Sequence, residues 1–184
     1  HPHIHLSTVS YLFEGEILHR DSLGHVQAIQ PGAINWMTAG HGIVHSERTP
    51  PAERSAGPKL HMLQLWVASP QSHDDVAPSF SHHAMADLPT LTFAGGRGTV
   101  LAGSAYGLVA PVPVQSPLCY IELHLEAGAR VELPDMRERG LYLVSGELEV
   151  DHQILGTQRM AVLTPGSTPT IVATRPTHLM IIGG

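Results

Sequence analysis

Thr8-Val9-Ser10-Tyr11-Leu12-Phe13, stopped by Glu14-Gly15-Glu16 and resumed by Ile17-Leu18-His19-Arg20, is the stretch whose reading decides the fold. β-Branched and aromatic residues interleave there with polar ones, the pattern of a half-buried strand, and a glycine between two glutamates ends it. Ile17 to Arg20 then reads as the hairpin partner of the first strand. Moving outward, Asp21-Ser22-Leu23-Gly24 is a turn, Val26 to Ile29 a short strand, Gln30-Pro31-Gly32 a stop and Ile34-Asn35-Trp36-Met37 a further strand. Turn signals at intervals of about 8 to 12 residues predict an all-β sandwich or barrel.

The same pattern returns later in the chain. Leu141-Tyr142-Leu143-Val144-Ser145-Gly146-Glu147-Leu148-Glu149-Val150 echoes residues 11–18, and Val162-Leu163-Thr164-Pro165-Gly166 echoes Ala28-Ile29-Gln30-Pro31-Gly32. One unit is therefore expected twice. Leu60 to Val67, with Trp66, reads as a central strand closing the first copy. Ser69-Pro70-Gln71-Ser72-His73-Asp74-Asp75 has little to bury and reads as a loop that continues toward Leu88-Pro89. The expected division is residues 1–77, a linker over 78–90 and a second unit over 91–184. His82-His83 falls in that linker and reads as a solvated pair. In the second unit Val100 to Gly103 and Tyr120 to Leu125 read as strands, separated by the Pro-rich segment Ala110 to Pro117.

Composition narrows the function. The 184 residues carry a net charge of −6 with histidines neutral and no block of Lys or Arg, which argues against direct nucleic-acid or anionic-membrane binding. No apolar run approaches the roughly 20 residues of a transmembrane helix, and no signal peptide or lipidation motif is evident, so a cytoplasmic location is expected. The single cysteine, Cys119, excludes an intramolecular disulfide, and its place in Leu118-Cys119-Tyr120-Ile121 marks it as a buried hydrophobe. The unusual count is 14 histidines. Two of them form His1-Pro2-His3 and another begins His45-Ser46-Glu47. In a strand, residues i and i+2 project from one face about 6.5 to 7 Å apart, so each triplet is a two-toothed clamp. Together they offer three imidazoles and a carboxylate, a set that suits iron, nickel, manganese, cobalt, copper or zinc. The second copy offers Pro134-Asp135-Met136-Arg137 where the first has His1-Pro2-His3, and no His-x-Glu follows Pro165-Gly166. It is expected to be metal-free.

Pro31-Gly32, Asn35-Trp36-Met37-Thr38-Ala39-Gly40 and Gly42-Ile43-Val44-His45-Ser46-Glu47, with His1-Pro2-His3 before them, resemble the pirin family of the cupin superfamily. Gln64-Leu65-Trp66-Val67, Pro78-Ser79-Phe80, Gly103 and Tyr106-Gly107 extend the resemblance over nearly the whole chain. It implies two tandem cupin-type antiparallel β-barrels, a bicupin, with one mononuclear metal, usually iron(II), on His1, His3, His45 and Glu47. It also implies that both flanks of the usual pirin are missing, so that the first barrel lacks N-terminal strands and the second its C-terminal part. His5 stands where pirins commonly carry Gly and His41 where they commonly carry Arg. His5, on the face of His1 and His3, reads as a hydrogen-bonded pocket or surface histidine, with an extra ligand or supporting donor as the alternative, and His41 reads as a loop residue near the pocket mouth. Some pirins resemble quercetin 2,3-dioxygenases (flavonol 2,4-dioxygenases), which implies a flavonol substrate, O2 and Glu47 as the catalytic base. Others resemble iron-dependent redox sensors that bind a transcription regulator or another protein partner, without turnover.

Overall fold

In the computed structural model, which describes residues 1–57 and 59–184, the chain divides into two units, His1–Asp87 and Leu88–Gly184. Both are antiparallel β structures. The first contains β1 (Pro2–His3), β2 (Leu6–Glu14), β3 (Ile17–Asp21), β4 (Val26–Ile29), β5 (Ile34–Thr38), β6 (Ile43–Arg48), α1 (Pro51–Ala56), β7 (His61–Ala68) and β8 (Ser79–His83). These strands form two four-stranded sheets, ordered β1-β6-β3-β4 and β7-β2-β5-β8.

The second unit contains β9 (Thr90–Phe93), β10 (Gly96–Ala105), β11 (Leu108–Val109), β12 (Cys119–Leu125), β13 (Arg130–Val131), β14 (Arg139–Ser145), β15 (Glu147–Val150), β16 (Gln153–Gly156), β17 (Met160–Leu163), β18 (Ile171–Ala173) and β19 (Thr177–Gly183). One sheet has the order β13-β18-β15-β16. The other has the order β11-β10-β12-β19-β14-β17, with β9 also paired to β10. The order β13-β18-β15-β16 reproduces β1-β6-β3-β4, and β19-β14-β17 reproduces β7-β2-β5. The repeat read from the sequence is thus a repeat of topology. Among the described residues the strands form open sheets, with no continuous ring of pairing.

The opening stretch needs one correction. β2 and β3 are not hairpin partners, because β2 pairs with β5 and β7 while β3 pairs with β4 and β6. Glu14-Gly15-Glu16 is a corner that carries the chain from one sheet to the other. Gly15 takes φ +89°, and a Cβ there would stand 2.3 Å from the Lys59 carbonyl oxygen, so only glycine fits. Gly146 makes the equivalent corner between β14 and β15 at φ +93°, with the Pro176 carbonyl oxygen 2.4 Å from where its Cβ would lie. A strand-glycine-strand pattern cannot distinguish a hairpin from a sheet-to-sheet corner, since both need a positive φ.

Three further expectations change. The segment over 78–90 is not simply a linker, because Ser79–His83 forms β8, paired with β5 from Ile34↔His83 to Thr38↔Ser79. His82-His83 therefore lies in a strand, and His82 Nδ1 is 2.6 Å from Asn35 Oδ1. β7 is an edge strand rather than a central one, which leaves Trp66 68% exposed. In the second unit the strand at the topological place of β1 is β13, Arg130–Val131, not the segment around Asp135.

The two interiors differ in chemistry. The second unit packs an apolar core that includes Ile121, Leu123, Leu141, Leu148, Leu179 and Ile181. A side chain of this kind, fully buried, contributes about 1.5 to 3 kcal/mol. In the first unit Leu12, Ile17 and Ile29 form one small cluster and Met37, Ala39 and Ile43 another, and His3, Thr8, Ser10, His19, Asn35 and His45 are also buried. Burying so many polar groups is costly unless they are partnered, so this interior is where a site belongs.

Candidate metal centre

β1 and β6 bring three histidines together. His1 and His45 exchange backbone hydrogen bonds, each N–H donating to the other's carbonyl at 3.0 Å, so the two residues stand directly opposite. His3 pairs with Ile43, which makes it the diagonal neighbour of His45. Side-chain alternation does the rest: His45 Nε2 lies 3.0 Å from His1 Nε2 and 3.1 Å from His3 Nε2. His3 and His45 are buried, and His1 is exposed.

Glu47 follows His45 on the same face of β6. Its Oε1 accepts a 2.7 Å hydrogen bond from Ser10 Oγ on β2, and its Oε2 accepts one from Gln64 Nε2 on β7. Gln64 Nε2 is also 3.0 Å from Ser10 Oγ, which closes a triangle of side chains around the carboxylate. Donor atoms of His1, His3 and His45 lie within 4.8 Å of one another, and those of His19, His45 and Glu47 do so as well. His45 is the residue common to both groups.

His19 was not singled out by the sequence. It is 1% exposed, pairs across β3 and β6 with Glu47, and stacks on Phe80 at 4.2 Å and 15°. Its Nε2 donates to Asp21 Oδ2 at 3.0 Å. Burial works against the Asp21 carboxylate. Hydrogen bonds from the His19 ring, the His25 backbone and ring, and the Leu23 N–H outweigh it and hold the group below the usual carboxylate range. The only advance signal was His19 lying two residues before Asp21, a spacing with no ligand signature of its own.

His5 does not join the cluster. It turns to φ +56°, which breaks the strand alternation, and its side chain is exposed. His41 is exposed in the loop before β6, and neither residue belongs to a group of converging donors among the described residues. An exposed His5 fits the reading of a surface histidine, and the ligand alternative fails because it assumed an unbroken strand over residues 1–5, whereas β1 ends at His3.

The residues present fit a transition metal. Three imidazole nitrogens converge at 3.0 and 3.1 Å, close to the roughly 3.0 to 3.5 Å between adjacent donors around an ion with bonds of about 2.1 Å. Ordinary hydrogen bonding does not account for this arrangement, because a neutral His45 Nε2 can serve only one proton between two neighbouring nitrogens. The His45 Nδ1 atom is buried without a hydrogen-bond partner. Burial, followed by the charges of His3 and His19 and opposed by Asp21, lowers the His45 pKa to about 4. Burial also lowers that of His3. Both rings are thus held neutral, the form that ligates.

Known proteins similar to this chain identify its family. The Pirin family model matches residues 1–67, and the model described as the Pirin C-terminal cupin domain matches residues 120–184. A "Pirin-like protein" of Caulobacter vibrioides is 45% identical over 186 residues, covering 100% of this chain and 64% of that protein. A Pseudomonas aeruginosa protein provisionally named quercetin 2,3-dioxygenase PA1205 is 41% identical over 187 residues, covering 100% of this chain and 58% of its own length. A crystal structure of quercetin 2,3-dioxygenase from Acinetobacter baumannii superposes with a TM-score of 0.89 at 35% identity, over 100% of this chain and 60% of that one. The chain spans less than two thirds of each of these proteins. Repeated cupin topology, a polar first interior with a His/Glu centre, and both family models give one conclusion: the chain belongs to the pirin family of bicupins.

Proposed function

We propose that His1, His3, His45 and Glu47 hold one mononuclear transition metal, iron(II) foremost among the ions that suit this donor set, and that the site cleaves a flavonol such as quercetin with O2. The observation that carries this reading is the convergence of three imidazole Nε2 atoms at 3.0 and 3.1 Å beside a carboxylate fixed by Ser10 and Gln64. Such a metal, when bound, acts as a Lewis acid that lowers the pKa of a coordinated hydroxyl. In this reading Glu47 accepts the flavonol 3-hydroxyl proton, and the hydrogen bond from Ser10 to Oε1 supports it. Trp66 meets the His3 ring edge-on at 5.4 Å and is largely exposed, so it offers a flat apolar face to a planar substrate beside the cluster. The names of the P. aeruginosa and A. baumannii proteins support the substrate class.

The test is anaerobic addition of quercetin to metal-loaded protein, followed by air. A shift in the flavonol absorbance on binding, then bleaching with release of carbon monoxide, is the expected result. Glu47→Gln should lose the bleaching. Metal-loaded protein that neither binds nor cleaves flavonols would exclude this activity.

One observation favours a second reading, an iron-dependent redox sensor for a transcription regulator or other protein partner. Trp66 is largely exposed beside the cluster, whereas a cavity of about 820 Å³ lies in the second unit, lined by Leu91, Phe93, Tyr106 and Val131 among others. A sensor requires affinity for its partner that changes with oxidation state, and no flavonol turnover.

A further inference from the structure

The clamp geometry of residues i and i+2 occurs a third time, at Glu122-Leu123-His124 on β12. Along this strand Ile121, Leu123 and Leu125 enter the apolar core, so Glu122 and His124 project from the opposite face. The neighbouring strand β19 alternates in the same way, with Leu179 and Ile181 in the core. The register pairs His124 with His178 and Glu122 with Met180, so His178 faces His124 directly and Glu122 diagonally. His178 Nε2 is 2.7 Å from Glu122 Oε1, and His124 Nε2 is 3.7 Å from Glu122 Oε2. The two rings stack with centroids 4.3 Å apart and planes 25° apart. One donor atom from each of the three residues lies within 4.8 Å of the other two.

We infer that Glu122, His124 and His178 form a second binding site for a divalent transition metal of the zinc, cobalt and nickel class, separate from the histidine cluster of the first unit. The donor set is two imidazoles and one carboxylate, which leaves coordination positions for water or an exogenous ligand. The separations of 2.7 and 3.7 Å bracket the spacing of ligands sharing an ion, and rotation of the stacked rings out of parallel would turn their nitrogens toward it. The backbone is already fixed: β12 lies between β10 and β19, and β19 between β12 and β14, so neither strand is an edge. Access is open through His124, whose side chain is 39% exposed. The inference departs from the expectation of a metal-free second unit. The strands at the places of β1 and β6 do carry buried apolar residues, Val131, Ile171 and Ala173, but the new site uses other strands.

The experiment is a titration of the intact chain with cobalt(II), reading the visible d–d absorbance and counting retained metal after gel filtration. The expected result is two equivalents, falling to one in His124→Ala and in Glu122→Gln, to one in His45→Ala, and to none in the double variant His45→Ala/His124→Ala. His152→Ala, which removes an exposed histidine beside Glu149, should retain both. Far-UV circular dichroism confirms that each variant is folded. Wild-type protein that binds one equivalent, all of it lost with His45→Ala, would overturn the inference. So would a second equivalent that survives both His124→Ala and Glu122→Gln, or that disappears with His152→Ala.

Discussion

Ser10→Ala isolates the support of the carboxylate from the ligands themselves. Ser10 is 1% exposed, and its hydroxyl donates to Glu47 Oε1 at 2.7 Å while accepting from Gln64 Nε2 at 3.0 Å. A hydrogen bond to a charged acceptor is worth about 1.5 to 3 kcal/mol. Loss of a partner that orients a metal ligand costs about 10- to 100-fold in affinity, or roughly 1.4 to 2.7 kcal/mol. The two routes give the same range. Competition against a chromophoric chelator should therefore show Ser10→Ala weakening the first-unit metal by 10- to 100-fold, with the fold unchanged. Ser7→Ala, on the same strand but facing Thr38 Oγ1 at 3.2 Å, should stay within about threefold of wild type. Equal affinity in Ser10→Ala and wild type would refute the claim that Ser10 positions Glu47 as a ligand.

Two further outcomes follow from buried titratable groups. His45 has a folded pKa of about 4 against an ordinary value near 6.5, so between these values the unfolded chain takes up a proton that the fold excludes. The resulting stability, up to about 3 kcal/mol, is present above pH 6.5 and lost as pH falls toward 4; urea unfolding of metal-free protein should show this slope, and His45→Ala should flatten it. Cys119 is buried, and burial pushes its thiol up to about 11, so iodoacetamide at pH 8 should leave the native protein unmodified and label it in denaturant. Rapid alkylation of native protein would contradict that placement.

The parts of this molecule legible in the sequence are those governed by short periods. Alternation over Thr8–Phe13 gave a strand, the repeated glycine breaks gave two copies, and the i, i+2 spacing at His1/His3 and His45/Glu47 put candidate ligands on shared faces. What stayed hidden depends on which distant strand lies alongside. Gly15 gave no sign that β3 would pair with β6 rather than β2. His19 gains its place only because that pairing sets it opposite Glu47, and Trp66 is exposed because β7 is an edge. Glu122 and His124 carried the clamp spacing openly. Their third donor, His178, comes from a strand whose register no local pattern fixes.

X-ray absorption of the His124→Ala protein loaded with one equivalent of nickel(II) tests the central claim most directly, because it counts imidazoles around the ion. Three imidazole nitrogens and a carboxylate oxygen are predicted, with no metal retained in His45→Ala/His124→Ala. A shell of water with one imidazole or none, unchanged by His45→Ala, would contradict the account.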